Sequence, residues 1–383
     1  MIPTANGGVN YYRFAAWAFQ MRKYRNVEVA LFEFQYNLVP PHYWERTITT
    51  NPDVKFRIAA LCKHADVVIW GPVHYEHTLQ VFNEMRQTYG KLTLVEIDDN
   101  MLDVPPWNEA FHSYGPNSYH RRMAMECLKM ADGLIVSTPH LAEIYAPYNE
   151  NISLVENSLD FKGDSGYVGW GTVRPKKHRG LRVGWIGGRG HFDDLMMVAP
   201  ALREVVLKHP EIRLCLINSA LKLSCEELGK PYPFAGLDNV FIADRSVPVN
   251  RYPRFAAHFG FDVGLAPLIE CNFNKSKSNL RWLEMGALGV PTVATDIHHF
   301  SKTVRNVVDG LLIGNNDLQK WQDALELLIT DTSFRENMGR TANKRIRDDF
   351  NVKKNAPGYF RLLKKLHGTT VIGDDLPEMA EVN

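Results

Sequence analysis

The chain has 383 residues, 45% hydrophobic and 23% charged, and its 44 basic and 43 acidic side chains leave a formal net charge of +1. Such a composition is ordinary for a globular protein. It provides no global field that would draw the chain to nucleic acid or acidic lipid, though a local basic face is compatible with it. At roughly 100–200 residues per domain, the length calls for two or three domains.

The N-terminus, MIPTANGGVNYYR, has no apolar signal core. Only MIPT precedes the first Gly pair, so strand one is either very short or cut back. Apolar runs rich in Val and Ile then follow at 27–34 (VEVALFEF), 66–73 (DVVIWGPV), 92–98 (LTLVEID), 133–137 (GLIVS) and 152–157 (ISLVEN), and read as buried strands. Helical patterns lie between several of them, as in YYRFAAWAFQMRKY, EHTLQVFNEMRQTYG and SYHRRMAMECLKMA. This alternation predicts a parallel sheet covered on both faces.

The pattern lapses across DFKGDSGYVGWGTVRPKKHRG, which reads as an interdomain linker. It resumes at 181–188, 212–219, 239–245, 262–268, 291–296 and 310–314. Three long amphipathic segments close the chain, followed by a short polar tail. The expected organisation is an N-terminal domain over 1–160, a linker over 161–180, a C-terminal domain over 181–350, and a last helix with its tail over 351–383. No run reaches the roughly 18 apolar residues of a membrane span. Five scattered cysteines (62, 127, 215, 225 and 271) without CxxC spacing fit reduced thiols, so the expected location is the cytoplasm.

Two parallel-sheet domains predict a cleft, with ligands at the carboxyl ends of the strands. Three loops there look like anion sites. Asn6-Gly7-Gly8-Val9 opens a helix, where glycines admit close backbone approach and the helix N-terminus favours negative charge; the bland alternative is a tight turn. GWIGGRGHFDDL, 184–195, ends a strand at Gly187-Gly188 and continues with Arg189 and His191. Its spacing is not GxGxxG and no acid follows about 20 residues on, so a nicotinamide enzyme is disfavoured while a phosphate site on Arg189 stands. The third loop, IECNFNKSKSN, leads into a helix beginning near Ser278 or Asn279. Cations at a helix N-terminus oppose its dipole by roughly 0.3–1 kcal/mol each, a cost that a bound anion would relieve. The alternative is a solvated lysine loop. His74 and His77 form an HxxH with no third ligand in spacing, so no metal site is expected. Asp98-Asp99 ends a strand and is a ligand candidate; Asp193-Asp194 reads as a helix-start pair.

DVGLAPL followed by FNKSKSNLRWLEMGALGVPTVATD, with VRNVVDGLLIGNNDLQKWQDALELLITD downstream, resembles the donor-site block of GT-B glycosyltransferases of the retaining family 4, in its Lys-Ser-loop subset. The resemblance implies two Rossmann-like parallel-sheet domains facing a cleft. It implies a nucleotide-diphosphate sugar as donor, a UDP-sugar first, with no cofactor and no metal. On it, Gly7, Gly8, Gly188, Arg189, Val247, Lys277, Ser278 and Glu284 bind the donor, Glu284 through the ribose hydroxyls. His74, Asp98 and Asp99 serve the acceptor side of catalysis, and Arg189 and Lys277 stabilise the leaving diphosphate. The family's first Glu, eight residues before Glu284, is Ser276 here, and its usual Arg–Lys pair is matched only by Arg189. The acceptor is a glycan or a lipid-linked sugar, or alternatively hydroxymethylated DNA, for which RPKKHR at 174–179 offers a basic face. A nucleotide-sugar epimerase of the same fold and a non-catalytic sugar-nucleotide-binding module are the competing readings.

Overall fold

The computed structural model describes residues 1–3, 7–32, 51–164, 166–217 and 220–368. Asn6, the Asn218-Ser219 strand end and the polar tail past Gly368 lie outside them. The chain divides into two units: one of Met1–Val104, Phe111–Ser158 and the stretch from Val352 onward, the other of Pro105–Ala110 and Leu159–Asn351.

In the first unit the apolar runs become four parallel strands, β1 (Val67–Trp70), β2 (Leu92–Ile97), β3 (Gly133–Val136) and β4 (Ile152–Leu154), in the order β1-β2-β3-β4. Ile2 adds a single parallel bridge to Trp70, so the opening strand is very short. The described part of the expected 27–34 strand, up to Phe32, is not a strand; residues 33–34 lie outside the described set. Phe32 N donates to Met1 O at 2.9 Å. Met1 N in turn donates to Ala30 O at 2.8 Å, so the segment lies beside Met1 without forming a ladder among the described residues. Helices Glu76–Tyr89 and Tyr119–Met130 follow β1 and β2, the second capped by Ser118, whose hydroxyl accepts from Arg121 N. Val95, Ile97, Phe82, Leu128, Leu134 and Tyr145 form the core.

The helix after the first Gly pair runs through Gly8–Asn10, a π-helical stretch Tyr11–Ala15, and Ala16–Met21. It is buried along nearly its whole length, including Arg13. The Arg13 guanidinium donates to Glu96 Oε1 (2.8 Å), Asn157 Oδ1 (2.8 Å) and Val155 O (2.7 Å), so its donors are met inside the fold. The last helix, Val352–Leu366, packs on this element edge to face through Trp17 and Tyr359, with ring centroids 5.2 Å apart.

The second unit holds six parallel strands, β5 (Arg182–Ile186), β6 (Arg213–Ile217), β7 (Val240–Ala243), β8 (Val263–Ala266), β9 (Thr292–Thr295) and β10 (Leu311–Ile313). Their order is β10-β9-β8-β5-β6-β7, the doubly wound arrangement in which the strand order reverses between β5 and β8. Helices Phe192–Lys208 and Leu318–Thr330 pack together on a core that includes Trp185, Leu202, Leu265 and Trp321. Helices Leu280–Ala287 and Thr332–Asp349 meet through glycine: a Cβ on Gly339 would lie 2.1 Å from Gly289 O. Asn343 Nδ2 donates to the carbonyls of Gly286 and Ala287, satisfying groups orphaned at the end of the first of these helices. Nearby, the fully buried Asp309 takes Arg305 (2.6 Å) and Arg345 (2.9 Å). The described residues of the 161–180 stretch belong to this unit, where Trp170 is fully buried. Among the described residues no helix is long and apolar enough to cross a membrane.

Candidate functional site

The reversal of strand order between β5 and β8 opens a crevice at their carboxyl ends, the place where open α/β sheets bind ligands. Two loops border it. After β5, Gly187 packs so closely on Trp185 that a Cβ would lie 2.3 Å from the indole, while Gly188 is exposed with nothing within 4 Å of a Cβ. Arg189 follows in a short turn that leads into the Phe192–Lys208 helix, and its guanidinium pairs with Glu227. After β8, the chain runs through a short helix, Asn272–Lys275, to the start of the Leu280–Ala287 helix.

Asp194 ties these loops together. It is 5% exposed; its Oδ1 accepts from Ile269 N (2.8 Å) and Asn274 Nδ2 (2.9 Å), and its Oδ2 lies 2.8 Å from His191 Nδ1. A single carboxylate thus fixes the first turn of one helix to the loop that carries Lys277. Sequence reasoning assigned Asp194 only to a helix start, because its partners lie some 75–80 positions away along the chain.

Lys277 is half-buried, with Nζ 4.3 Å from the centre of the Phe273 ring, and Ser278 is half-buried beside it. Ser276 is buried, and its hydroxyl donates to Asn272 O at 3.2 Å. Glu284 is 6% exposed and accepts from Tyr252 Oη at 3.2 Å. Burial first, and then the neighbouring Glu284, raises the Tyr252 phenol above its ordinary value, so the hydroxyl stays protonated and donates. Tyr252 is backed by Trp170, ring centroids 5.9 Å apart. Asn279, the residue before the Glu284 helix, is fully buried, and neither its amide nitrogen nor its oxygen has a hydrogen-bond partner among the described residues. Nothing in the sequence singles it out. Val247 is half-exposed in the loop after β7, at the far edge of the sheet from β8.

The remaining candidates lie in the first unit, also beyond strand carboxyl ends. Gly7, with φ +72°, precedes the buried helix, and Gly8 begins it. His74 follows β1; its carbonyl lies 3.0 Å from His120 Nδ1 and its ring meets Tyr114 edge to face. Asp98 and Asp99 follow β2. Asp99 O accepts from Tyr145 Oη (2.8 Å), which in turn accepts from Met101 N (2.9 Å), so this turn is pinned from beneath.

Residues 280–345, from the Glu284 helix through most of the Thr332–Asp349 helix, match the family "Glycosyl transferases group 1". The chain is a GT-B-fold protein with a group 1 glycosyl transferase segment. Sucrose-phosphate synthase from Thermosynechococcus elongatus shares this GT-B architecture at a TM-score of 0.65 and 15% identity, over 95% of this chain and 94% of that one. HepE of Anabaena, solved with UDP-glucose, does so at a TM-score of 0.60 and 14% identity, over 82% of both chains. Among curated proteins, a D-inositol 3-phosphate glycosyltransferase of Arthrobacter sp. (strain FB24) is 35% identical over 234 residues, 56% of this chain. The matched region of the GT-B chain spans about half, 52%, of that relative's length. A protein of the same name from Corynebacterium aurimucosum is 24% identical over 81% of this chain and 68% of its own.

Proposed function

We propose that this chain is a metal-independent, retaining glycosyltransferase that moves a sugar from a UDP-sugar to an acceptor hydroxyl. The observation that carries the reading is Asp194, which locks the Gly187-Gly188-Arg189 loop to the loop bearing Lys277 at the strand crossover of the second unit. The matched family segment begins immediately afterwards, at residue 280. Solved relatives of the same fold hold UDP and UDP-glucose, which favours a uridine nucleotide.

On this reading the diphosphate sits between the two loops. Lys277 and Arg189 meet the charge that grows on the leaving oxygen, and pre-placed cations of this kind stabilise it without reorganisation. Arg189 exchanges its present partner Glu227 for phosphate oxygens. Glu284, held by Tyr252, accepts the ribose hydroxyls. Because Ser276 replaces an acid and spends its hydroxyl on Asn272 O, the sugar hydroxyls are recognised by other groups. His74, Asp98 and Asp99 orient the acceptor hydroxyl, which belongs to a glycan or a lipid-linked sugar.

Calorimetry with UDP and GDP tests the site. Loss of a charge-assisted hydrogen bond costs about 1.5–3 kcal/mol, so Lys277→Ala and Glu284→Ala should each weaken UDP binding at least about tenfold. Unchanged affinity in both variants overturns the assignment. Turnover of UDP-sugars is then followed over acceptor panels that include hydroxymethylated DNA, with and without EDTA. Binding without hydrolysis or transfer identifies a non-catalytic module, and acceptor-free conversion of the sugar identifies an epimerase. Loss of transfer in EDTA, restored by magnesium or manganese, removes the metal-free mechanism.

A further inference from the structure

At the opposite, amino-terminal end of the second unit's sheet, a pocket of about 200 Å³ is lined by His178, Arg182, Arg213, Phe241, His258 and Phe259. Arg182 and Arg213 are the first residues of β5 and β6 and stand directly opposite each other in the register. Like charges so placed repel, and each such pair costs sheet stability. Neither guanidinium has a carboxylate partner within ion-pair distance among the described residues. Arg182 donates to Phe259 O (3.1 Å), and the nearby Asp262 is occupied by the Arg182 backbone N–H (2.8 Å). Arg213 is exposed.

The rest of the wall is built, not loose. Lys176 N donates to Ala257 O (2.8 Å), and His178 Nε2 lies 3.3 Å from His258 O. The preceding stretch thereby docks on the end of the Tyr252–Phe259 helix. Gly260 allows this approach: at φ +55° it closes the helix, and a Cβ there would lie 1.8 Å from Lys176 O. Burial lowers the His178 imidazole below its usual value; the contact with His258 O raises it in part, while the charges of Arg182, Lys176 and His258 lower it. The pocket is thus electropositive with two aromatic walls, and it lacks the counter-ion its own register calls for.

We propose that this pocket is an anion site for a small phosphate ester, with Arg182 and Arg213 gripping the phosphate and Phe241 and Phe259 flanking the sugar that carries it. Guanidinium pairs suit phosphate because each presents parallel donors to two oxygens. The size matters too. Pockets for drug-sized ligands run to about 300–1,000 Å³, so this one suits a sugar phosphate and excludes a second nucleotide sugar. Arg174, Lys176, Lys177 and Arg179 are exposed along the adjoining chain and raise the local field.

The site is independent of the proposed donor crevice, and its test is independent as well. Ribose 5-phosphate, ribose and inorganic phosphate are titrated calorimetrically into the full chain at matched ionic strength, beside a dT oligonucleotide. Arg213→Gln, Phe241→Ala and wild type are compared, with UDP as the control ligand. Saturable binding of ribose 5-phosphate but not ribose is expected. Losing the Arg213 contact weakens it about tenfold or more, and UDP binding stays at the wild-type value in both variants. Inorganic phosphate binding more weakly than the ester, with Phe241→Ala abolishing the difference, assigns the aromatic walls to the sugar. No saturable binding, or equal binding by Arg213→Gln, overturns the proposal. Tighter binding of the oligonucleotide than of ribose 5-phosphate, lost in Arg213→Gln, also overturns it in favour of a nucleic-acid surface.

Discussion

Replacing Gly339 by alanine sets helix propensity against packing, and the two give opposite signs. Gly339 lies inside the Thr332–Asp349 helix, where alanine is better than glycine by about 0.8–1.0 kcal/mol. Its new Cβ would lie 2.1 Å from Gly289 O and 3.2 Å from Pro291 Cδ. A backbone carbonyl and a proline ring cannot swing aside, so the helix must retreat by roughly 1 Å to regain ordinary contact. Overpacking of this kind costs about 1–3 kcal/mol. A backbone clash belongs at the upper end, leaving a net loss of about 1–2 kcal/mol after the propensity gain. Gly358, exposed in the last helix with nothing within 4 Å of a Cβ, is the control, and there only propensity acts. Scanning calorimetry reads both, since a chain of two units is not bound to unfold in one transition. At about 2–4 °C per kcal/mol, Gly339→Ala should lower the second unit's transition by roughly 2–8 °C, while Gly358→Ala raises the first unit's slightly. A Gly339→Ala protein as stable as wild type, or more so, would show that the two helices are not in glycine-mediated contact.

Asp309→Ala removes a fully buried carboxylate from between Arg305 and Arg345, and breaking such a cluster should cost about 3–5 kcal/mol in urea unfolding. Asp194→Ala frees the loop that carries Lys277. UDP affinity should fall at least about tenfold, as for loss of a charge-assisted contact, and calorimetry checks it. A His191→Ala protein keeps the bonds from Asp194 to Ile269 and Asn274, so its loss of affinity should be the smaller of the two.

The strands were legible where physics made them loud. LRVGWIGG and DVGLAPL are nearly unbroken apolar runs because a parallel strand is buried on both faces. VEVALFEF carries a similar signal up to Phe32 and makes no strand there, because a strand needs a ladder as well as an apolar run, and among the described residues it meets only Met1, through Ala30 and Phe32. At the candidate site, Gly187-Gly188, Lys277 and Glu284 stood out through loop chemistry and helix position. Asp194 and Asn279 did not. Asp194 matters because of a loop far along the chain, and Asn279 because the fold buries its amide without a partner. The Arg182–Arg213 register is likewise invisible until the strand order is known. RPKKHR reads in the sequence as part of a linker with a basic face, yet Lys176 within it is docked at Gly260.

Glu96 should make the first unit's stability depend on pH in a direction opposite to that of an ordinary surface carboxylate. Its side chain and that of Arg13 are each 1% exposed, and Oε2 has no partner among the described residues. Burial drives the Glu96 carboxyl up to about 8; Arg13 pulls it down without prevailing, and Asp98 adds a smaller upward push. The unfolded chain holds this group near 4.5. Between those values the folded state keeps a proton that the unfolded state releases. The contribution is therefore fully present below about pH 4.5 and is lost as pH rises towards 8, at no more than about 1.4 kcal/mol per pH unit. Glu96→Gln retains an oxygen for Arg13 and cannot titrate. Urea midpoints for the first unit should fall from pH 5 to pH 8 in the wild type and stay flatter in the variant. Parallel curves for the two proteins would mean that Glu96 is already ionised throughout this range, with Arg13 prevailing over burial.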